Sequence, residues 1–203
     1  MLKIIDCEQG TREWLSERLG VPTASEFETL MKSGRGKNTV SKTALKYIYM
    51  KAAERITEEL PEEWSNQYTR RGHELEPVAV ELYEEKTGNK TEVCGFMKNE
   101  HAGYSPDRIV GDNGLIEVKT KKPELQVECI VNDVVPDEHM KQMQAGLWIS
   151  GRDWCDFVSY CPNLPLFVKR VERDEKMIEQ IKEAAIEFNR QVDEIVTKVL
   201  EAY

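Results

Sequence analysis

The sequence is short of the features that mark several protein classes. Its 203 residues hold five cysteines, an odd number with no Cys-x-x-Cys spacing: Cys7, Cys94, Cys129, Cys155 and Cys161. That pattern argues against a disulfide framework and against a zinc or iron–sulfur site, and leaves reduced, mostly buried thiols as the expectation. The three histidines, His73, His101 and His139, have no metal-ligand spacing and read as structural or solvent-facing. No apolar run approaches the length of a membrane span, and Met1-Leu-Lys-Ile-Ile-Asp6 does not read as a signal peptide. Repeats, low-complexity tracts and obvious linkers are also missing. One cytoplasmic domain over residues 1–203, long enough to bury a proper core, is expected.

Acidic residues are missing from one stretch. The chain carries 37 acidic and 28 basic residues, a net charge of −9, which by itself argues against a nucleic-acid partner. Yet Thr29 to Ala53 contains no Asp or Glu, while Lys32, Arg35, Lys37, Lys42, Lys46 and Lys51 all fall there. A basic patch within an acidic protein draws a polyanion to one surface. The alternative is a solvated basic helix preceded by a flexible loop.

What is present centres on Gly103-Tyr-Ser-Pro-Asp-Arg-Ile-Val-Gly-Asp-Asn-Gly-Leu-Ile-Glu-Val-Lys-Thr120. Side chains alternate along a strand, so Glu117 and Lys119 share a face while Ile116, Val118 and Thr120 take the other. A hairpin through Gly111 to Gly114 returns Asp107 towards them. Pro106 biases Ser105 to extended geometry and helps aim Asp107. Two carboxylates beside an ammonium can hold Mg²⁺ and position a water at a phosphodiester. The same spacing also suits a solvated hairpin in which Glu117 and Lys119 only pair with each other.

Periodicity predicts helices over 11–19, from near Thr23–Ser25, from Ser41 to about Leu60, over 68–86, over 137–150 and over 173–201. Ser25 followed by Glu28 suits a capping box, and Ser41 an N-cap. Pro77 is awkward inside its helix, which must start later or kink there. Strands are predicted at 92–98, 104–109, 114–121, 154–161 and 166–171. Residues 122–135 alternate at Val127, Cys129 and Val131 like a strand or a loop. The fold class is α/β, with a central mixed sheet flanked by helices.

Four blocks in order carry a family resemblance over most of the chain. They are Gly10-Thr-Arg-Glu-Trp-Leu-Ser-Glu-Arg-Leu-Gly-Val-Pro-Thr-Ala-Ser25, Arg71-Gly-His-Glu-Leu-Glu-Pro-Val-Ala79, Ser105-Pro-Asp107 with Glu117-Val-Lys119, and His139-Met-Lys-Gln-Met-Gln-Ala-Gly-Leu-Trp148. Together they resemble the lambda-exonuclease type of phage recombination nuclease, also called YqaJ-like, of the PD-(D/E)xK group.

The resemblance implies a restriction-endonuclease-like fold and a Mg²⁺-dependent 5′-to-3′ exonuclease acting on double-stranded DNA, with two ions and Mn²⁺ as a substitute. Under it, Asp107, Glu117 and the backbone carbonyl of Val118 hold metal, and Lys119 orients or deprotonates the water. Glu76 completes the site directly or through water. Gln144 reaches in from a later helix, and Gln142, two residues away, diverges to the surface. Arg18, Thr23 and Ser25 hold the terminal 5′-phosphate, with Ser105 donating near the scissile phosphate. Here too there is an alternative: Ser25 only caps its helix and Arg18 only pairs with Glu28. Arg35, Lys37 and Lys42 grip the duplex backbone. A trimeric ring and a single-strand annealing protein as partner are also implied, in a bacterial host or phage setting. Arg108 departs from the family, which commonly has glycine there, and Pro77 beside Glu76 departs as well. The rivals are an endonuclease, or a Cas4-type exonuclease with a cluster that the scattered cysteines do not suit, and a non-catalytic DNA-binding scaffold of the same fold.

Overall fold

Two sheets frame the residues that the computed structural model describes, 1–34, 40–60 and 67–202. The first, wholly antiparallel, joins β1 (Lys3–Ile5), β2 (Phe96–Lys98) and β3 (Gly103–Tyr104) in that order. The second is mixed and runs β4 (Arg108–Val110), β5 (Gly114–Thr120), β6 (Trp154–Tyr160), β7 (Phe167–Glu172). Within it β5 and β6 are parallel, and the outer pairings are antiparallel. The strand expected over 104–109 is thus divided between two sheets. Pro106 lies in the gap, and a residue without an N–H cannot continue a ladder. The released segment 105–107 is what carries Asp107 to the site.

The helices are α1 (Arg12–Glu17), a 3₁₀ turn (Ala24–Glu26), α2 (Phe27–Leu30), α3 (Lys42–Thr57), α4 (Gln67–Thr87), α5 (Pro123–Asn132), α6 (Asp137–Ser150) and α7 (Glu175–Leu200). Ser41 caps α3, its hydroxyl accepting from the Ala44 N–H at 3.1 Å, and the Asp174 carboxylate caps α7. Residues 123–132 are helical, not a strand or loop. Pro123 opens the helix, where its missing N–H costs nothing. Gln126 and Cys129, three apart, turn inward, while Val127 and Val131, four apart, stay exposed. Alternation over a few residues does not separate the two periods when both faces carry valine. Nor does Pro77 start or end α4: the helix runs through it from Gln67 to Thr87. The capping box expected at Ser25 and Glu28 is absent, because Ser25 lies inside the 3₁₀ turn and Glu28 pairs with Lys141 at 2.6 Å.

Strand parity explains the layers. Ile116, Val118 and Val158 face α4, where Ala79, Val80 and Tyr83 bury against them. Leu115, Cys155 and Phe157 face the other way, into the main core with Met143 and Leu147 of α6. Each such fully buried side chain contributes about 2 kcal/mol of transfer free energy, so the register of β5 is strongly held. A one-residue slip would exchange its two faces. Glu117 and Lys119 are therefore set on the α6 side. Beyond α6, α7 buries Ile178, Ile181, Ala185, Phe188 and Val192, and Phe188 meets Tyr47 of α3 at a ring separation of 5.5 Å. All five cysteines are free and buried.

Candidate active site

The hairpin from β4 to β5 turns at Gly111, whose φ of +50° is a left-handed conformation suited to glycine. It brings Asp107 beside β5, where Asp107 Oδ2 accepts from the Val118 N–H at 2.6 Å. Glu117 is only 2% exposed. Its carboxylate accepts from Lys119 Nζ at 2.6 Å, from the Tyr104 hydroxyl at 3.2 Å and from Gln142 Nε2. Tyr104 reaches it because Gly146 of α6 has no side chain; a Cβ there would lie 2.8 Å from the tyrosine ring. Asp107, Glu117 and Lys119 thus form one cluster, as the spacing led us to expect.

Charge and burial act together in that cluster. Burial, and then the Glu117 charge, hold the Asp107 carboxyl well above the ordinary carboxylate range. Burial opposes the Lys119 ammonium, but Glu117 and Asp107 outweigh it and push its pKa up. Burial raises the Tyr104 hydroxyl, so it serves as a donor to Glu117.

The glutamine that meets the carboxylates is Gln142, not Gln144. Gln142 binds Glu117. Gln144 is fully buried on the opposite side of α6, where its amide donates to the Glu172 carbonyl at 2.8 Å and accepts from the Asp174 N–H at 2.8 Å. Gln144 holds the turn from β7 into α7. Residues two apart on a helix diverge by about 200°, so only one can face β5, and the packing of α6 selects Gln142. One turn earlier, His139 stacks on Phe157 at 5.3 Å and approaches Lys121 Nζ to 2.7 Å. Burial and the Lys121 charge lower its pKa to about 4, so it is neutral near pH 7.

Glu76 is not a direct member of the cluster. It lies on α4 and accepts from Arg108 Nη1 at 2.8 Å, although its charge is felt at Asp107. The same Arg108 nitrogen donates to the Asp107 carbonyl. Across the turn, Gln9 Nε2 donates to the carbonyls of Pro106 at 2.8 Å and Cys94 at 2.9 Å. Sequence reasoning missed the roles of Gln9, Trp14 and Tyr104, whose partners Cys94, Pro106, Ser105 and Glu117 are distant in the chain.

A second feature adjoins the first through Ser105, two residues before Asp107. Its hydroxyl accepts from Trp14 Nε1 at 2.7 Å and from Arg18 Nη1 at 3.4 Å. The Arg18 guanidinium stacks over the Trp14 ring at 4.1 Å, and burial lowers its pKa. Arg18 also borders a cavity of about 490 Å³ with Thr23, Tyr47, Lys51 and Glu54. Thr23 and Ser25 hydroxyls lie 3.4 Å apart. The helix end expected to attract an anion here is only a three-residue 3₁₀ turn, and the Thr23 N–H already donates to the Tyr47 hydroxyl at 3.4 Å. Arg18 and Lys51 bring positive charge to this pocket beside the Thr23 and Tyr47 hydroxyls, while Glu26, Glu54 and Glu59 line it as well. Nor does Arg18 pair with Glu28, which Lys141 holds.

The basic run divides. Lys42 is exposed on α3, as is Lys46. Lys51 turns inward, 7% exposed, and donates to the Arg18 carbonyl at 3.2 Å and to Glu54 at 2.8 Å. Arg35 and Lys37 lie outside the described residues.

Do these groups suit a divalent cation? Among the described residues no three or more His, Cys, Asp and Glu side chains gather into a metal cluster. The donors here are a carboxylate pair and a strand carbonyl, all hard oxygens of the kind Mg²⁺ takes. Burial, and then repulsion from Glu117, hold Asp107 above its usual range, and a cation between the two carboxylates would relieve that repulsion. The donor set fits.

A mixed sheet with α4 on one face and α6 on the other, carrying Asp107, Glu117 and Lys119, defines a nuclease of the PD-(D/E)xK group. Within that group the chain belongs to the YqaJ-like viral recombinase domain family, whose model matches residues 13–153. The structure is similar to that of LHK-Exo, an alkaline exonuclease from Laribacter hongkongensis. Against its complex with dAMP the identity is 33%, covering 95% of this chain and 97% of that one, with a TM-score of 0.84. Against a further LHK-Exo structure the identity is 32%, the coverage again 95% and 97%, and the TM-score 0.83. A phage-related exonuclease from Haemophilus somnus 129PT shares the fold at 18% identity over 88% of this chain and 96% of that one, with a TM-score of 0.68. Comparison with curated proteins gives no match.

Proposed function

We propose that this chain is a Mg²⁺-dependent exonuclease that removes nucleotides from the 5′ end of one strand of duplex DNA and leaves a 3′ single-stranded tail for recombination. The observation that carries the reading is the continuity of residues 105–107. Ser105 bonds to Arg18 and Asp107 belongs to the carboxylate pair, so a short segment links the proposed anion site to the proposed reactive centre. A terminal phosphate bound by Arg18 would place a strand end at a set distance from Asp107, and direction would follow. Gln9 and Arg108 fix that segment through the carbonyls of Pro106 and Asp107.

Asp107, Glu117 and the Val118 carbonyl would hold Mg²⁺, which supplies Lewis-acid polarisation and an acidified water; two ions are proposed, with Mn²⁺ as a substitute. Lys119 orients the attacking water, held by Glu117. Without a cation its raised pKa suits it to donate hydrogen bonds and stabilise charge rather than take a proton. Gln142, on the same carboxylate, is the glutamine proposed to meet water or phosphate. Exposed Lys42, with Arg35 and Lys37, would contact the duplex backbone without reading sequence. A trimeric ring, an annealing protein as partner and a cytoplasmic location complete the proposal. Among the described residues, no helix is long and apolar enough to cross a membrane.

The test compares linear duplexes carrying 5′-phosphate or 5′-hydroxyl ends with closed circles, in Mg²⁺ or EDTA. Expected are digestion of linear DNA in Mg²⁺ alone, faster from phosphorylated ends, and loss of that preference in Arg18→Ala. Cutting of closed circles would instead indicate an endonuclease, and inertness towards every substrate a scaffold.

A further inference from the structure

We infer that Lys51 and Glu54 of α3 are positioning residues for Arg18, and that they set the preference for a terminal 5′-phosphate by fixing the turn that presents the guanidinium. The inference rests on the exonuclease reading above, in which Arg18 meets that phosphate. Arg18 stands at the end of α1, and the chain then turns through Leu19 to Gly20. Its guanidinium stacks over Trp14 at 4.1 Å and donates to Ser105 at 3.4 Å. The backbone of the turn is held from a different element, α3, by residues 33 to 35 positions further along the chain.

Lys51, Glu54 and Arg55 stand at helical spacings of three and four and so share one face of α3. Lys51 Nζ donates to the Arg18 carbonyl at 3.2 Å and to Glu54 Oε2 at 2.8 Å. The same Glu54 oxygen accepts from the Gly20 N–H at 2.8 Å, and Arg55 Nε donates to the Gly20 carbonyl at 2.9 Å. Gly20 permits this approach: its φ is +64°, and a Cβ there would collide with Arg55 Cγ. Arg55 in turn bonds Asn189 and Asp193 of α7, both at 2.6 Å, which ties the clamp to a second helix. The Lys51 and Glu54 side chains are only 8% and 13% exposed, so water is a poor substitute for either partner. Without the pair, α3 loses its hold on the Arg18 carbonyl and the Gly20 N–H. A guanidinium fork displaced by about 1 Å no longer meets a phosphate with two aligned bonds, and binding weakens.

Digestion of linear duplexes with 5′-phosphate and with 5′-hydroxyl ends, in Mg²⁺, gives a ratio of two rates that a general loss of folded enzyme does not move. Lys51→Met should lower that ratio about tenfold, through a higher KM for phosphorylated ends. Lys51→Met/Glu54→Leu replaces the buried pair by apolar side chains and leaves no unpaired charge. It should show the same low ratio, and it stands in for Lys51→Met if that variant fails to fold, which thermal melting reports. A wild-type ratio in either variant, with the preference still lost in Arg18→Ala, overturns the inference alone, as does an equal fall of both rates. A wild-type enzyme with no preference for phosphorylated ends, or an Arg18→Ala variant that keeps it, overturns the inference together with the 5′-end reading.

Discussion

Gln142 and Gln144 show how two identical side chains separated by one residue take unrelated tasks. Gln142 meets Glu117, and Gln144 satisfies the Glu172 carbonyl and the Asp174 N–H inside the protein. Gln142→Ala should lower kcat by roughly tenfold, the loss typical of one positioning contact, with little change in Tm. Gln144→Ala should do the reverse, since it leaves two buried backbone groups unpaired at a cost of about 1–3 kcal/mol. Melting curves and steady-state rates separate the two. His139 offers a pH test. Its folded pKa of about 4 lies below the ordinary value of 6.5, so between those values the unfolded chain binds the proton and the folded one does not. Stability must therefore fall as pH drops from 6.5 towards 4, by about 2 kcal/mol once partial exposure is allowed for. His139→Gln should flatten that part of the stability–pH curve in denaturant titrations.

At the scale of elements, the segment between β3 and β4 is decisive. Pro106 ends one ladder, and the freed residues carry Ser105 and Asp107 to two neighbouring sites. The helix 137–150 and the strand over 114–120 were legible in the sequence because each has one buried face and a clear boundary. Helix α5 was not, since valines on its exposed side imitate a strand. Pro77 in α4 was legible as a problem but not as a solution. The helix continues through it because Ala79, Val80 and Tyr83 are anchored on β5 and β6, and that packing outweighs the local penalty. Pro77 itself is exposed. Pro77→Ala should restore one helical hydrogen bond and raise stability by about 2 kcal/mol, read as a higher Tm with the unfolding m-value unchanged.

For the whole molecule, a net charge of −9 must coexist with a polyanionic substrate. Lys42 and Lys46 stay exposed on α3, while Lys51, from the same run, is buried beneath Arg18 as internal support. If the exposed pair meets DNA phosphates, Lys42→Ala/Lys46→Ala should weaken duplex binding equally across sequences. It should also reduce the slope of log affinity against log salt by about 2. Fluorescence anisotropy over a salt series gives both quantities, and an unchanged slope would remove α3 from the DNA path.

Sequence by itself determined the α/β class, the hairpin at Gly111, the meeting of Asp107, Glu117 and Lys119, and the free cysteines. These follow from strand parity, turn chemistry and composition, which act over a few residues. Tertiary structure alone decided which glutamine faces the carboxylates, that Arg108 captures Glu76, that Lys51 points inward and that Trp14 and Arg18 share Ser105. Each depends on how a helix is rotated against a sheet or on contacts between residues far apart in the chain. Those are set by the packing of the whole core, and local pattern carries no record of them.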